Sequence, residues 1–281
     1  MENSPDASIA PSAPAGRAVA GRRIDWTGKD LVLGVVWFIA LFVVIPLPIA
    51  GVALLFFDSG SPGFAAATFI ISAGSEFGIV AAAAMLTFGK YGGGWGRLGF
   101  AAPGWSAAGW ALAAFGGAMA VSIAYGVLVD NVGALDFLRS DCAQQIPRVV
   151  RDHRWVLAIA SFMVIVVAPP CEEIFFRGFM FTGLAKRWGL VAGIVASALL
   201  FAGAHVDYHS FVPILGVGAC FAWAYSRSRN ILSTMAAHVA FNSISIAAIA
   251  GGSCDKSGSI GVPWLGAAQG ALGALHAGWW I

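Results

Sequence analysis

Long apolar segments separated by short polar loops make up most of the chain. A helix needs roughly 20 apolar residues to cross a hydrocarbon core of about 30 Å, and most of these segments come close to that length. The segments are 31–57, 64–88, 106–129, 154–186, 190–206, 211–226, 230–250 and 264–281. The pattern predicts an all-α, polytopic integral membrane protein with about eight transmembrane helices. Seven is the alternative, because the last segment contains Gln269 and His276.

The N-terminal residues differ from the rest of the chain. The stretch MENSPDASIAPSAPAGRAVAG is rich in Pro, Ala and Ser and holds no long apolar run, a composition typical of a flexible segment. We therefore expect a disordered tail at 1–28 and a transmembrane helical domain at 29–281. The polar motifs described below place the catalytic core at 154–250.

The composition agrees with a membrane protein. Hydrophobic residues make up 59% of the chain and charged residues only 11%, against about 25% charged in a soluble domain. The net charge of +2 is small, and no basic run indicates a nucleic-acid partner. The four cysteines form no CxxC pattern, so neither a disulfide framework nor a zinc knuckle is indicated.

Basic residues recur in alternate loops, which favours an orientation with those loops in the cytoplasm. The residues are Lys90 and Arg97, Lys186 and Arg187, and Arg227 and Arg229. We therefore expect the N-terminus to be cytoplasmic. The protein is also expected to lie in a bacterial plasma membrane.

A few ionisable side chains lie inside the apolar segments. Each costs about 2.5–3.5 kcal/mol to insert at a helix centre, so such residues are candidates for function. The set is Glu76, Glu172, Glu173, Arg177, His205 and His238, with Asn242 as a polar companion. Glu76 belongs to no motif, and its structural and functional interpretations have equal weight.

The stretch APPCEEIFFRG, residues 168–178, holds three of these groups. Glu173 and Arg177 are four residues apart in the favourable order for an ion pair on a helix. Neighbouring helical residues point about 100° apart, so Glu172 should not share a partner equally with Glu173. Pro169 and Pro170 are expected to break the preceding helix, which would place both glutamates in the first turn of a new one.

Two further motifs each space two residues by four. FAGAH puts Phe201 and His205 on one helix face, and HVAFN does the same for His238 and Asn242. Counted from the cytoplasmic helix ends, Glu172 and His205 lie about 20–25 Å deep and His238 about 13 Å deep. Three separate spans therefore offer a carboxylate, two histidines and an amide at comparable depths.

This set suits the attack of water on a carbonyl group, as in peptide hydrolysis. A carboxylate in a dry cavity can act as a general base on water, and a histidine can position that water. A histidine with an asparagine can stabilise the oxyanion that develops. Glu172, His205 and His238 could instead hold zinc with an open position, which would give a metal-dependent version of the same reaction.

The three motifs resemble those of the CPBP family of intramembrane endopeptidases, which includes CAAX prenyl proteases and bacteriocin-processing or abortive-infection proteins. The motifs occur in the order EExxxR (Glu172, Glu173 and Arg177), FxxxH (Phe201 and His205) and HxxxN (His238 and Asn242). The FRG at residues 176–178 is typical as well. Three motifs in order on separate spans make a specific signal.

The resemblance implies a role for each motif residue. Glu172 would activate water with the help of His205, while His238 and Asn242 would form the oxyanion site. A metal-free glutamate mechanism is favoured. The remaining motif residues would lie next to the catalytic groups and hold them in position. They are Glu173, Arg177 and Phe201.

The implied activity is CAAX-type processing, the hydrolysis of a peptide bond near the membrane in a membrane-associated or lipidated protein or peptide. The alternative is a non-proteolytic bacteriocin-immunity or membrane scaffold protein of the same family. A transporter with an intramembrane proton relay is the third hypothesis. It has little support, because the sequence shows no internal repeat of the inverted kind.

Overall fold

The computed structural model describes residues 24–138 and 148–250, and this part of the chain is helical with no strand. Short 3₁₀ turns at Trp95–Leu98 and Gly133–Leu138 supplement the helices. The helices are α1 Gly28–Ala53, α2 Pro62–Gly89, α3 Trp105–Asn131, α4 Arg148–Asp152, α5 Arg154–Trp188, α6 Leu190–Ala204, α7 Tyr208–Ser228 and α8 Ile231–Ala250. The predicted all-α class is confirmed.

Five of these helices are long and apolar enough to cross a membrane, namely α1, α2, α3, α5 and α8. Helix α6 is apolar but shorter, and α7, which contains the predicted span 211–226, is not among the five. The predicted span 264–281 lies outside the described residues. The chain is therefore a helical membrane protein, and the predicted count of eight spans is not confirmed.

The chain is packed from the first residue described. Trp26 is 1% exposed, and its indole Nε1 donates a hydrogen bond to the carbonyl of Phe179 on α5 at 3.3 Å. Thr27 then caps α1 through a capping box with Asp30. The packed part thus includes residues 24–28, the end of the predicted tail, whereas residues 1–23 lie outside the described residues.

A buried carboxylate joins the start of α1 to the end of α2. Asp30 is fully buried, and it accepts hydrogen bonds from Lys90 Nζ at 2.7 Å and from the Tyr91 hydroxyl at 2.6 Å. The hydrogen bond to Asp30 raises the pKa of Lys90 above its ordinary value. Beside this cluster, Arg97 pairs with Asp25 at 2.9 Å. These contacts hold the first two helices together at one end of the bundle.

Helix α5 lies at the centre of the fold. Its second half contributes Phe175, Phe179 and Phe181 to a core shared with α1, α2, α6 and α7. Its first half joins a second core, in which Val156 and Met163 accompany residues of α2, α3, α7 and α8. Most of the other helices therefore pack against α5 and position their side chains relative to it.

The backbone of α5 departs from the α-helix twice. Met163–Val167 and Glu173–Phe181 are π-helical, and Ala168–Glu172 between them is α-helical. The predicted helix break at the prolines is therefore wrong, and helical backbone continues from Arg154 to Trp188. A π turn and donors from neighbouring helices can accommodate proline inside a membrane helix, so Glu172 and Glu173 lie in mid-helix rather than in a first turn.

The glycine of the FRG sequence permits a close helix–loop contact. A Cβ on Gly178 would lie 2.6 Å from the backbone carbonyl oxygen of Leu98. Real Cβ atoms do not approach that closely, and a backbone atom cannot move aside as a flexible side chain can. Gly178 thus lets α5 pack directly on the 3₁₀ turn at Trp95–Leu98.

We expect Gly178→Ala to lower stability by about 1–3 kcal/mol, because overpacking forces the backbone apart. Gly116→Ala on α3 is the matched control, since a Cβ there meets no atom within 4 Å and alanine favours the helix by up to about 1 kcal/mol. Thermal unfolding of the detergent-solubilised variants measures both effects. Equal melting temperatures for the two variants would contradict the close contact at Gly178.

Candidate active site

Three helices bring the polar motif residues to one place inside the bundle. Helix α5 contributes Glu172, Glu173 and Arg177, and α8 contributes His238 and Asn242. His205 follows the last residue of α6 and caps its C-terminus. The structure thus brings together the glutamates and His238 in direct contact, with His205 close by.

The predicted ion pair between Glu173 and Arg177 is confirmed. Arg177 Nη1 lies 2.9 Å from Glu173 Oε1, and both side chains are 0% exposed. The guanidinium also stacks over the rings of Phe201 at 4.2 Å and Phe221 at 5.3 Å, contacts that favour a buried cation. Phe201 therefore packs against Arg177, and Phe221 of α7 is a neighbour that spacing within the motifs did not reveal.

One imidazole lies between the two glutamates. His238 Nδ1 is 3.0 Å from Glu173 Oε1, and Nε2 is 3.6 Å from Glu172 Oε2. The two contacts are unequal, in line with the divergent directions of adjacent helical side chains. The Glu172 side chain is 13% exposed, whereas the Glu173 side chain is fully buried in its ion pair with Arg177. Glu172 is thus the more accessible carboxylate.

His205 is held by its own helix. Its Nδ1 lies 2.8 Å from the carbonyl oxygen of Phe201, four residues earlier, and the two rings are in edge contact at 4.8 Å. With a proton on Nδ1 donated to that carbonyl, Nε2 is left as an acceptor. His205 is buried and within electrostatic range of Glu172.

The turn after His205 has an unusual backbone. Val206 adopts φ 49°, in the left-handed region that β-branched residues rarely occupy. The chain leaves the helix here, just after the C-cap residue His205. Asp207 then caps α7 by accepting a hydrogen bond from the backbone N–H of His209 at 3.1 Å. Val206 thus lies in the turn between α6 and α7, directly after His205.

Asn242 has a contact that its motif did not predict. Its Nδ2 donates a hydrogen bond to the carbonyl oxygen of Val164 at 2.7 Å. In a π turn that carbonyl would pair with residue 169, which is a proline and has no N–H. One amide hydrogen of Asn242 thus satisfies the backbone of α5, and the second remains for another acceptor.

Glu76 joins the site from α2. It is buried and within electrostatic range of both Glu172 and Cys171. The sequence singled out Glu76 by its place in an apolar segment, but spacing along one helix gives no information on which residue of another helix lies opposite.

The donors proposed for zinc do not assemble into a ligand set. Within residues 24–138 and 148–250, no group of three or more His, Cys, Asp or Glu side chains is placed to hold a metal ion. Glu172 and His238 are in contact, while His205 faces the carbonyl of its own helix.

Comparison with protein families connects this geometry to an activity. Residues 154–244 match the family model described as type II CAAX prenyl endopeptidase Rce1-like. The matched segment covers about a third of the 281-residue chain, from the start of α5 to just beyond Asn242, and contains all three motifs. The CPBP resemblance is thereby confirmed over this segment.

Comparisons with curated proteins and with solved structures give no significant match. Glu76 lies outside the segment that matches the CAAX endopeptidase family, so its place in the site comes from the structure alone.

We expect Arg177→Met to destabilise the protein by about 3–5 kcal/mol, because it leaves Glu173 as a buried carboxylate without its cation. The double variant Glu173→Gln with Arg177→Met removes both charges and should recover most of that loss. A double-mutant cycle on unfolding free energies tests this. Additive effects of the two substitutions would contradict a coupled pair.

Proposed function

We propose that the protein is an intramembrane endopeptidase that hydrolyses a peptide bond with water activated by Glu172. The observation that carries this proposal is the contrast between the two glutamates. Glu173 is fully buried against Arg177, whereas the Glu172 side chain is 13% exposed and contacts His238 at 3.6 Å. Only Glu172 is accessible to water and substrate.

Glu172 acts as the general base. Its carboxylate takes a proton from water while the water oxygen attacks the carbonyl carbon of the scissile bond. His205, with Nδ1 on the Phe201 carbonyl, presents Nε2 as an acceptor at the reacting centre. When the tetrahedral intermediate collapses, the C–N bond breaks and the leaving amine receives the proton held by Glu172.

His238 and Asn242 stabilise the oxyanion. His238 Nδ1 lies 3.0 Å from Glu173 Oε1, so Nε2, on the side of Glu172, is the ring nitrogen that faces the reacting centre. The second amide hydrogen of Asn242 is the other donor. Because the ion pair and α5 hold these groups in place, they stabilise the developing charge without rearranging.

The substrate is a membrane-associated protein with a lipid anchor, as the CAAX endopeptidase family implies. The site lies among helices that are exposed to lipid on their outer faces, so a substrate carried by a prenyl group is already concentrated in the same bilayer. Lipid attachment thus contributes to recognition before any contact with the peptide.

The N-terminus lies on the cytoplasmic side, where a prenylated C-terminus is found. The basic residues of alternate loops gather at one end of the bundle, where Lys186 binds the carbonyl of Ile24 and Lys90 binds Asp30. A cluster of this kind favours the cytoplasmic face of a plasma membrane.

We expect Glu172→Gln to abolish cleavage of a farnesylated CAAX peptide, with a fall in kcat of about 10²-fold or more, since the amide cannot accept the proton of water. Asp58→Asn in the exposed loop after α1 is the control for loss of a carboxylate and should leave kcat unchanged. Release of the C-terminal tripeptide from reconstituted protein gives the rate. Full cleavage by the glutamine variant would overturn the assignment, and full biological activity without cleavage would favour the non-proteolytic alternative.

We expect cleavage by the purified protein to withstand a strong chelator, because the mechanism uses no metal. Metal analysis of the same sample should show no stoichiometric zinc. Stoichiometric zinc that is lost from His205→Ala, together with activity that returns only when zinc is added back, would overturn the metal-free mechanism.

A further inference from the structure

A buried carboxyl group on α2 has no part in the proposed mechanism. Glu76 is 4% exposed, and its Oε2 has no hydrogen-bond partner among the described residues. A buried acceptor without a partner costs about 1–3 kcal/mol. A leucine or methionine would fill the same space without that cost, so packing does not explain a carboxyl group at this position.

The position of Glu76 along α2 places it beside the reacting carboxylate. Helix α2 packs along Ala168–Glu172 and Glu173–Phe181 of α5. Ile79, one turn after Glu76, lies in the same buried core as Phe175 of α5. The electrostatic interaction of Glu76 with Glu172 agrees with this packing.

The hydroxyl of Ser75, the residue before Glu76, already has hydrogen-bond partners. The Ser75 hydroxyl donates to the carbonyl of Leu41 at 2.6 Å. The segment of α1 packed beside it, Ala40–Ala53, contains no ionisable residue. Arg151 and Asp152 of α4 adjoin the far end of α2, where Phe69 lies about 10 Å from Glu76 along the helix. On α5, Glu172 and Cys171 interact electrostatically with Glu76.

We propose that Glu76 is a second water-binding residue of the active site, holding the attacking water together with Glu172. Water is the smallest group that can hydrogen-bond to two acceptors that lie near each other without touching. One hydrogen of the water points to Glu172, which takes it in the reaction. The other points to Glu76 Oε2, which keeps its own protonation state throughout.

This arrangement assigns His205 a role in proton transfer. With both hydrogens of the water bound by carboxyl groups, the histidine Nε2 is free to face the substrate and to take the proton from Glu172 on its way to the leaving amine. The water is then fixed on two sides before the substrate enters. The inference rests on the proposed hydrolytic function and adds a residue outside the segment that matches the CAAX endopeptidase family.

Two substitutions at this position and one beside it test the proposal. Glu76→Leu removes the acceptor, and we expect kcat to fall about 10- to 100-fold, the equivalent of one hydrogen bond to a charged site, with KM unchanged because the residue holds water rather than peptide. Glu76→Gln keeps an oxygen acceptor of the same size and should retain most of the activity. Phe77→Leu, on the outward face of α2 at 61% exposure, is the matched control and should match the wild type.

A structural role for Glu76 gives a different result. Glu76→Leu would then change the melting temperature, and any loss of activity would follow the fraction of folded protein. An unchanged kcat in Glu76→Leu, or equal losses in the leucine and glutamine variants, would overturn the proposal.

A structure of the protein determined at a resolution that shows water separates this inference from the proposed function. We expect density for a water within hydrogen-bond distance of Glu76 Oε2 and Glu172, and its loss in Glu76→Leu. This result needs no substrate. Water at the site in a protein that cleaves nothing would reject only the proposed function, whereas cleavage without such a water would reject only the role of Glu76.

Discussion

The ion pair between Glu173 and Arg177 is the constraint around which the site is built. Two charges that are both 0% exposed are stable only when each is paired and surrounded by further favourable contacts. Arg177 obtains these from the rings of Phe201 and Phe221, and Glu173 obtains them from His238. Helices α6, α7 and α8 must therefore all converge on one turn of α5, and this convergence positions the candidate catalytic groups.

Convergence of α8 on α5 also explains how α5 can contain prolines in the middle of a helix. Proline withholds donors from the carbonyls of the preceding turn, and no water is present in a bilayer to replace them. The amide of Asn242 supplies one at Val164. Asn242, which its motif suggests for catalysis, thus also donates a hydrogen bond to a backbone carbonyl of α5. One amide hydrogen makes this bond, and the other remains for a second acceptor.

Sequence reasoning succeeded where the relevant distance lies within one helix. The spacing of four between Glu173 and Arg177, and between Phe201 and His205, led directly to contacts that the structure contains. It failed where the backbone changed type, since the rule that proline ends a helix takes no account of a π turn backed by a neighbouring helix. The apolar lengths predicted the helices well, but whether each one crosses the membrane depends on lipid and on packing.

Contacts between helices could not be predicted from the sequence either. His238 was recognised as a site residue, yet its place between Glu172 and Glu173 depends on the rotation of α8 about its axis. The same holds for Glu76 on α2. A single sequence records which residues share a helix face, and only the packed bundle records which faces meet.

The π-helical stretch Glu173–Phe181 has a consequence for how relatives of this protein are recognised. A π turn holds one residue more than an α turn. A homologue that has lost one residue within this stretch would convert the π turn to an α turn and keep the residues before and after it on their original faces. A motif search with fixed spacing would miss such a homologue, although the candidate catalytic groups would keep their relative positions.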